Sequence, residues 1–92
     1  MAAVINMVAK ELHMSPGELM NESVRNYLEQ KLAKVDADIF LIVKKYGIKD
    51  VFELDAKVKK GFISEKDAYD DYFTLDSLEA ERKKIKRILK KL

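Results

Sequence analysis

One proline and three glycines stand in this 92-residue chain, and all four fall where helices would begin or end. Because these two residues interrupt helices, their placement leaves long uninterrupted stretches between them. Ser15-Pro16-Gly17-Glu18 has a serine in the N-cap position, a proline at the first helical position and a glutamate three residues beyond the cap, the spacing of a capping box. Asp50-Val51-Phe52-Glu53 repeats the spacing with an aspartate as cap. Ser64-Glu65-Lys66-Asp67 is a third start with two acids in its first turn, where they meet the positive end of the helix dipole. Gly47 and Gly61 follow lysine-rich turns and suit the left-handed residue that closes a helix.

The marks predict four helices, over roughly 2–13, 16–46, 51–60 and 65–91. No segment alternates apolar and polar residues long enough for a strand. The second helix carries Leu28, Leu32, Val35, Ile39, Ile42 and Tyr46 at the alternating spacing of four and three that marks a heptad-like seam, continued upstream by Val24 and Met20. The fourth carries Leu75, Leu78, Ile85, Leu89 and Leu92 on the same kind of seam, with Arg82 and Asp71 in core slots. At 1.5 Å per residue these helices are about 45 and 40 Å long. The short third helix, with Val51, Leu54 and Val58 on one stripe, reverses the chain, so the two long helices lie antiparallel. The expected fold is all-α: a single domain over residues 1–92, a long helical hairpin with a short N-terminal helix and a short connecting helix.

A chain this short has a thin core, or one completed by a partner. Ile39-Phe40-Leu41-Ile42-Val43 is apolar around most of a helical turn, which one seam partner cannot enclose. Phe40, Leu41 and Val43, with Tyr69, Tyr72 and Phe73 brought near by the antiparallel pairing, are therefore the candidate partner-binding residues. A homodimer is the simplest expectation.

Several function classes are disfavoured. No apolar stretch is longer than the five residues of Ile39–Val43, far short of a membrane span, and the N-terminus lacks the basic start of a signal peptide. There are no cysteines, hence no thiol nucleophile and no disulfide. The expected location is cytoplasmic. His13, the one imidazole, has no second histidine or carboxylate at ligand spacing and reads as a helix-end residue. Asp36, Asp38, Asp70 and Asp71 could meet across a hairpin, but carboxylates on lysine-rich helices usually face solvent. No glycine-rich phosphate loop is present. Catalysis, a metal, a cofactor and a small-molecule substrate are thus not expected.

Charge is unevenly spread. Of the formal +2, residues 82–92 contribute +7 and the rest −5. Lys83, Lys84, Lys86, Arg87, Lys90 and Lys91 form a basic stripe suited to weak, non-specific contact with nucleic acid; basic residues also belong at a helix C-terminus. Glu79 lies four residues before Lys83 and adds helix support. Arg82 is expected to reach a carboxylate on the facing helix, Glu22 or Glu29, or to extend its head to water. Fifteen lysines against three arginines follow the lysine and glutamate enrichment of thermophiles.

Within residues 9–32, Ser15, Glu18, Leu19, Ser23, Val24, Arg25, Tyr27, Leu28 and Glu29 form a pattern that resembles the helix pair of ribbon-helix-helix antitoxins and repressors. The resemblance covers about a quarter of the chain and lacks the family's N-terminal strand, so no DNA-contacting residue carries over. The remainder, through Lys44-Lys45-Tyr46-Gly47, Phe52-Glu53-Leu54 and Asp70-Asp71-Tyr72-Phe73, is similar in layout to small archaeal antitoxin-like helical proteins. This resemblance implies an antitoxin-like or regulatory binding protein with a cognate toxin as partner. The residues alone equally suit an oligomeric helical module without a toxin, or a weak nucleic-acid binder.

Overall fold

The computed structural model describes residues 2–92, and it is all-helical: α1 (Ala2–Glu11), α2 (Pro16–Tyr46), α3 (Val51–Lys59) and α4 (Glu65–Lys90). The helix ends follow the punctuation in the sequence. Ser15 caps α2 by accepting from Glu18 N–H at 3.0 Å; the Glu18 carboxylate is met by the Ser15 hydroxyl at 3.3 Å. Asp50 caps α3 by accepting from Glu53 N–H at 2.9 Å. Ser64 has the extended backbone of a cap, but its side chain makes no capping bond, which leaves Glu65 and Asp67 to meet the start of α4.

Gly47 (φ +64°) and Gly61 (φ +81°) are left-handed, and each closes a helix. After Gly47, Ile48 N–H donates to the Val43 carbonyl at 3.0 Å, and after Gly61, Phe62 N–H donates to the Lys57 carbonyl at 2.9 Å. These are the long return bonds of a Schellman end. His13 ends α1 the same way, at φ +58°, with Met14 N–H donating to the Ala9 carbonyl at 2.9 Å. The histidine predicted at a helix end is thus the closing residue itself, and α1 is shorter than the span 2–13 expected.

The core is one seam between α2 and α4, closed at one end by α3. Val35, Ile39 and Ile42 of α2, Ile48, Val51 and Leu54 around α3, and Ala68, Leu75 and Ile85 of α4 are buried in one cluster. Leu54 and Leu75 are sealed completely, each contributing about 1.5–3 kcal/mol of transfer free energy. Leu92, placed on the seam by its spacing, is exposed beyond the end of α4. The start of α3 is pinned to α4 by Val51 N–H, which donates to Glu79 Oε2 at 2.9 Å. Glu79 therefore reaches across the hairpin, rather than along its own helix to Lys83. The result is a rod of 61 × 20 × 19 Å.

The polar slots in the seam show its register. Lys45 meets Asp71 and Lys31 meets Glu81, so Arg82 lies opposite Asp36, 3.7 Å away, with both side chains partly solvated. The expected partners, Glu22 and Glu29, are ruled out by this register, which carries Glu22 past the last turn of α4. A partly solvated pair contributes at most about 1 kcal/mol. Arg82→Leu should leave the free energy of unfolding unchanged or raise it by up to about 1 kcal/mol, because leucine fills the seam between Leu78 and Ile85. Denaturant titration checks this.

The two conformations of glycine predict opposite signs. Gly47→Ala should destabilise by about 1–2 kcal/mol from the left-handed backbone alone, since a Cβ there meets only Lys57 Nζ at 3.9 Å. Gly17→Ala, in the first turn of α2 where a Cβ would make only an ordinary contact with Ser15 Oγ at 4.0 Å, should stabilise by up to about 1 kcal/mol. Both are read from unfolding midpoints.

Candidate functional site

The six side chains expected to bind a partner do not form a single cluster. Val43 and Tyr72 are half-buried and pack against the core, so they serve the fold first. Phe40 and Leu41 point out of α2, 58% and 65% exposed; the Lys44 ammonium stands 5.8 Å from the centre of the Phe40 ring, a cation–π distance. On α4, Tyr69 and Phe73 are exposed and stack edge to face at 5.1 Å, with Tyr72 joining Phe73 at 5.4 Å. Helical spacing explains the division: positions 39, 42 and 46 take the seam, so 40 and 41 must face away from it.

The aromatic group of α4 borders a groove of about 270 Å³ between α3 and α4, lined by Asp55, Val58, Glu65, Ala68, Tyr69, Tyr72 and Phe73. Pockets that enclose a small molecule are generally larger, and this one is open. Two further aromatics, of α3 and its exit, are exposed: Phe62 at 76%, and Phe52 at 80%, which lines a separate groove with Asp76, Ala80, Arg82, Lys83 and Lys86. The sequence reading missed both. Phe52 could have been found, since it lies off the stripe made by Val51, Leu54 and Val58.

The best-organised polar cluster lies here too. Asp71 accepts from Lys45 Nζ at 2.7 Å and from the Tyr46 hydroxyl at 2.6 Å. The Lys45 ammonium, then the Tyr46 hydroxyl, hold the Asp71 carboxyl below its usual range against the opposing effect of burial. The same carboxylate raises the Lys45 pKa. Tyr46 is raised by burial and then by Asp71. Lys57 completes the corner by donating to the carbonyls of Tyr46 and Gly47, at 3.3 and 3.1 Å. Each member is held by a partner in a structural role. His13, the one imidazole, stands at the far end of α2, about 45 Å of helix away, so no imidazole adjoins the cluster.

The four aspartates do not converge. Asp36 faces Arg82, Asp38 accepts from Lys34 at 3.0 Å, Asp71 is held as above, and Asp70 is exposed. Among the described residues, no group of three or more potential ligands is placed to hold a metal ion, and no helix is long and apolar enough to cross a membrane. Lys83, Lys84, Lys86, Arg87, Lys90 and Lys91 are all exposed, and none forms an ion pair with the described residues. They surround the last turns of α4.

The Asp71 cluster predicts a pH window for stability. A depressed carboxyl stabilises the fold above its unfolded value of 3.8, and this is lost as pH falls through the lower folded value. The raised Lys45 and Tyr46 stabilise it below their unfolded values of 10.5 and 10.0, and this is lost as pH rises through the folded ones. Asp71→Ala should therefore cost about 1 kcal/mol at neutral pH, after discounting for solvent around the pair. The gap from wild type should close at both pH extremes, as urea titrations across pH would show.

The chain belongs to the uncharacterized protein MJ0235 family, whose model matches residues 1–92. Membership covers the whole chain, beyond the stretch 9–32 that resembles ribbon-helix-helix proteins, and it brings no ribbon-helix-helix or antitoxin assignment. Residues 2–11 are helical where that resemblance would need a strand. Neither a curated protein nor a solved structure matches the chain.

Proposed function

We propose that the chain is a non-catalytic binding protein, antitoxin-like or regulatory, that docks on a partner protein with the apolar side chains at the α3 end of its hairpin. One observation carries this reading. Phe40, Leu41, Phe62, Tyr69 and Phe73 are each more than half exposed, and they belong to the last turns of α2, the exit of α3 and the first turns of α4. Exposed apolar surface of this kind marks interaction sites, and aromatic side chains dominate the energetics of such contacts. Lys44 beside Phe40 suits a partner surface with acidic residues at its rim. A cognate toxin is the partner that the antitoxin-like resemblance implies.

A second reading concerns nucleic acid. The six exposed basic residues at the end of α4 can neutralise a few phosphates, and the exposed Phe52 shares a groove with Lys83 and Lys86, but one ring is a small platform for bases. Such binding would be weak, indifferent to sequence and steeply salt-dependent.

The test uses the tagged full chain to capture partners from native lysate, with and without nuclease, at low and moderate salt. The captured protein is then purified and its affinity for the chain measured. Phe40→Glu/Leu41→Glu and Tyr69→Glu/Phe73→Glu should each weaken that affinity at least about tenfold, with binding retained after nuclease. Unchanged affinity of both variants would refute the proposed surface. Recovery of nucleic acid alone, lost at moderate salt, would favour the second reading.

A further inference from the structure

We infer that the arm formed by α1 and the first turns of α2, at the opposite end of the rod, is where a second copy of this chain docks. This inference does not rest on the partner surface proposed above. The seam that α4 covers from Leu28 to Tyr46 continues upstream through Val24 and Met20, but there α4 runs out, and both side chains are exposed. Val4 and Met7 on α1, and Tyr27 beside the seam, are exposed as well. The first eight residues of α1 carry no charge, and α1 packs on α2 without substantial contact with α3 or α4. Apart from Asn6, Lys10 and Glu11 the helix is apolar; such a surface belongs in an interior, yet Val4 and Met7 lie open.

Surface area argues for cover by another chain. The chain exposes 7021 Å², whereas a compact monomer of 10.6 kDa exposes about 5,500 Å². The excess, about 1,500 Å², exceeds the roughly 800 Å² that each partner buries in a standard interface. The radius of gyration agrees: 19.2 Å, against about 12 Å for a compact domain of this length.

Charge argues that the cover is a second copy. A two-fold interface sets a surface against itself, so a strongly charged face repels its own copy. The basic end of α4 fails that condition. Residues 2–28 meet it, with only Lys10, Glu11, Glu18, Glu22 and Arg25 charged among them, His13 aside. Two arms can thus pair without like-charge repulsion, each completing the stretch of seam that its own α4 leaves bare.

The test is sedimentation equilibrium of the full chain, with expected dissociation of the dimer below about 10 µM. Val4→Glu/Met7→Glu should weaken the dimer at least about tenfold, while Phe40→Glu/Leu41→Glu leaves it unchanged. The chain has no cysteine, so Met7→Cys introduces a single thiol, and a short bismaleimide should join two copies through it. The same reagent should fail with Phe62→Cys at the other end. Cross-linking through Met7→Cys decides the matter if the glutamate variant loses helix content. A wild-type chain monomeric at about 100 µM, a dimer sensitive only to the Phe40/Leu41 variant, or cross-linking through Phe62→Cys alone would overturn the inference.

Discussion

Where α2 and α4 run antiparallel, Val35, Ile39 and Ile42 share one core with Ala68, Leu75 and Ile85, and that seam is what makes a single body of four helices. It is one side chain deep on each helix, because only about two positions per heptad can face a single neighbour. Burial there offsets the entropy of ordering two long helices. The shorter helices add little core of their own: α3 contributes Val51 and Leu54 as a lid at one end, and α1 contributes Ala9 as its one fully buried residue.

Once the seam sets the register, the polar contacts follow from it. Lys45 falls beside Asp71, Lys31 beside Glu81 and Arg82 beside Asp36. These pairs tune a register that apolar packing has already chosen, since most are well solvated and individually weak. The exception in kind is the corner where Asp71, Tyr46 and Lys45 meet beside the left-handed Gly47. There the end of α2, its capping lysine and the start of α4 are tied together, and the aromatic surface proposed to grip a partner sits on that corner.

Much of this was legible in the sequence. The heptad spacing from Leu28 to Tyr46 is a property of one helix and can be read without a neighbour. So can the caps at Ser15 and Asp50 and the left-handed stops at Gly47 and Gly61, because these are local backbone chemistry. What depended on two helices at once was less accessible. Glu22 and Glu29 are on the facing helix and suit Arg82 by charge, but the packed seam sets Arg82 beside Asp36. Val43 and Tyr72 looked free because the apolar run around them is continuous, yet both pack on the core. Left-handed His13 was also unreadable, since no glycine marks the position. Of the candidate surface, Phe40 and Leu41 can be named from the run Ile39–Val43 and Tyr69 and Phe73 from the antiparallel pairing, whereas Phe62 sits in a turn with no periodicity to mark it.

A seam this thin has a consequence for function, because it leaves apolar side chains uncovered at both ends of a 61 Å rod. Other protein surfaces are proposed to cover them, and α1 is where that is tested most directly. A helix of ten residues is marginal in water without packing. Amide hydrogen exchange across α1, measured at several protein concentrations, reports whether its surface is covered. Slow exchange from Asn6 to Ala9, whose amides bond within the helix, that slows further as concentration rises is the predicted result. Exchange there near the rate of an unfolded chain, at every concentration and with α2 and α4 protected, would contradict it.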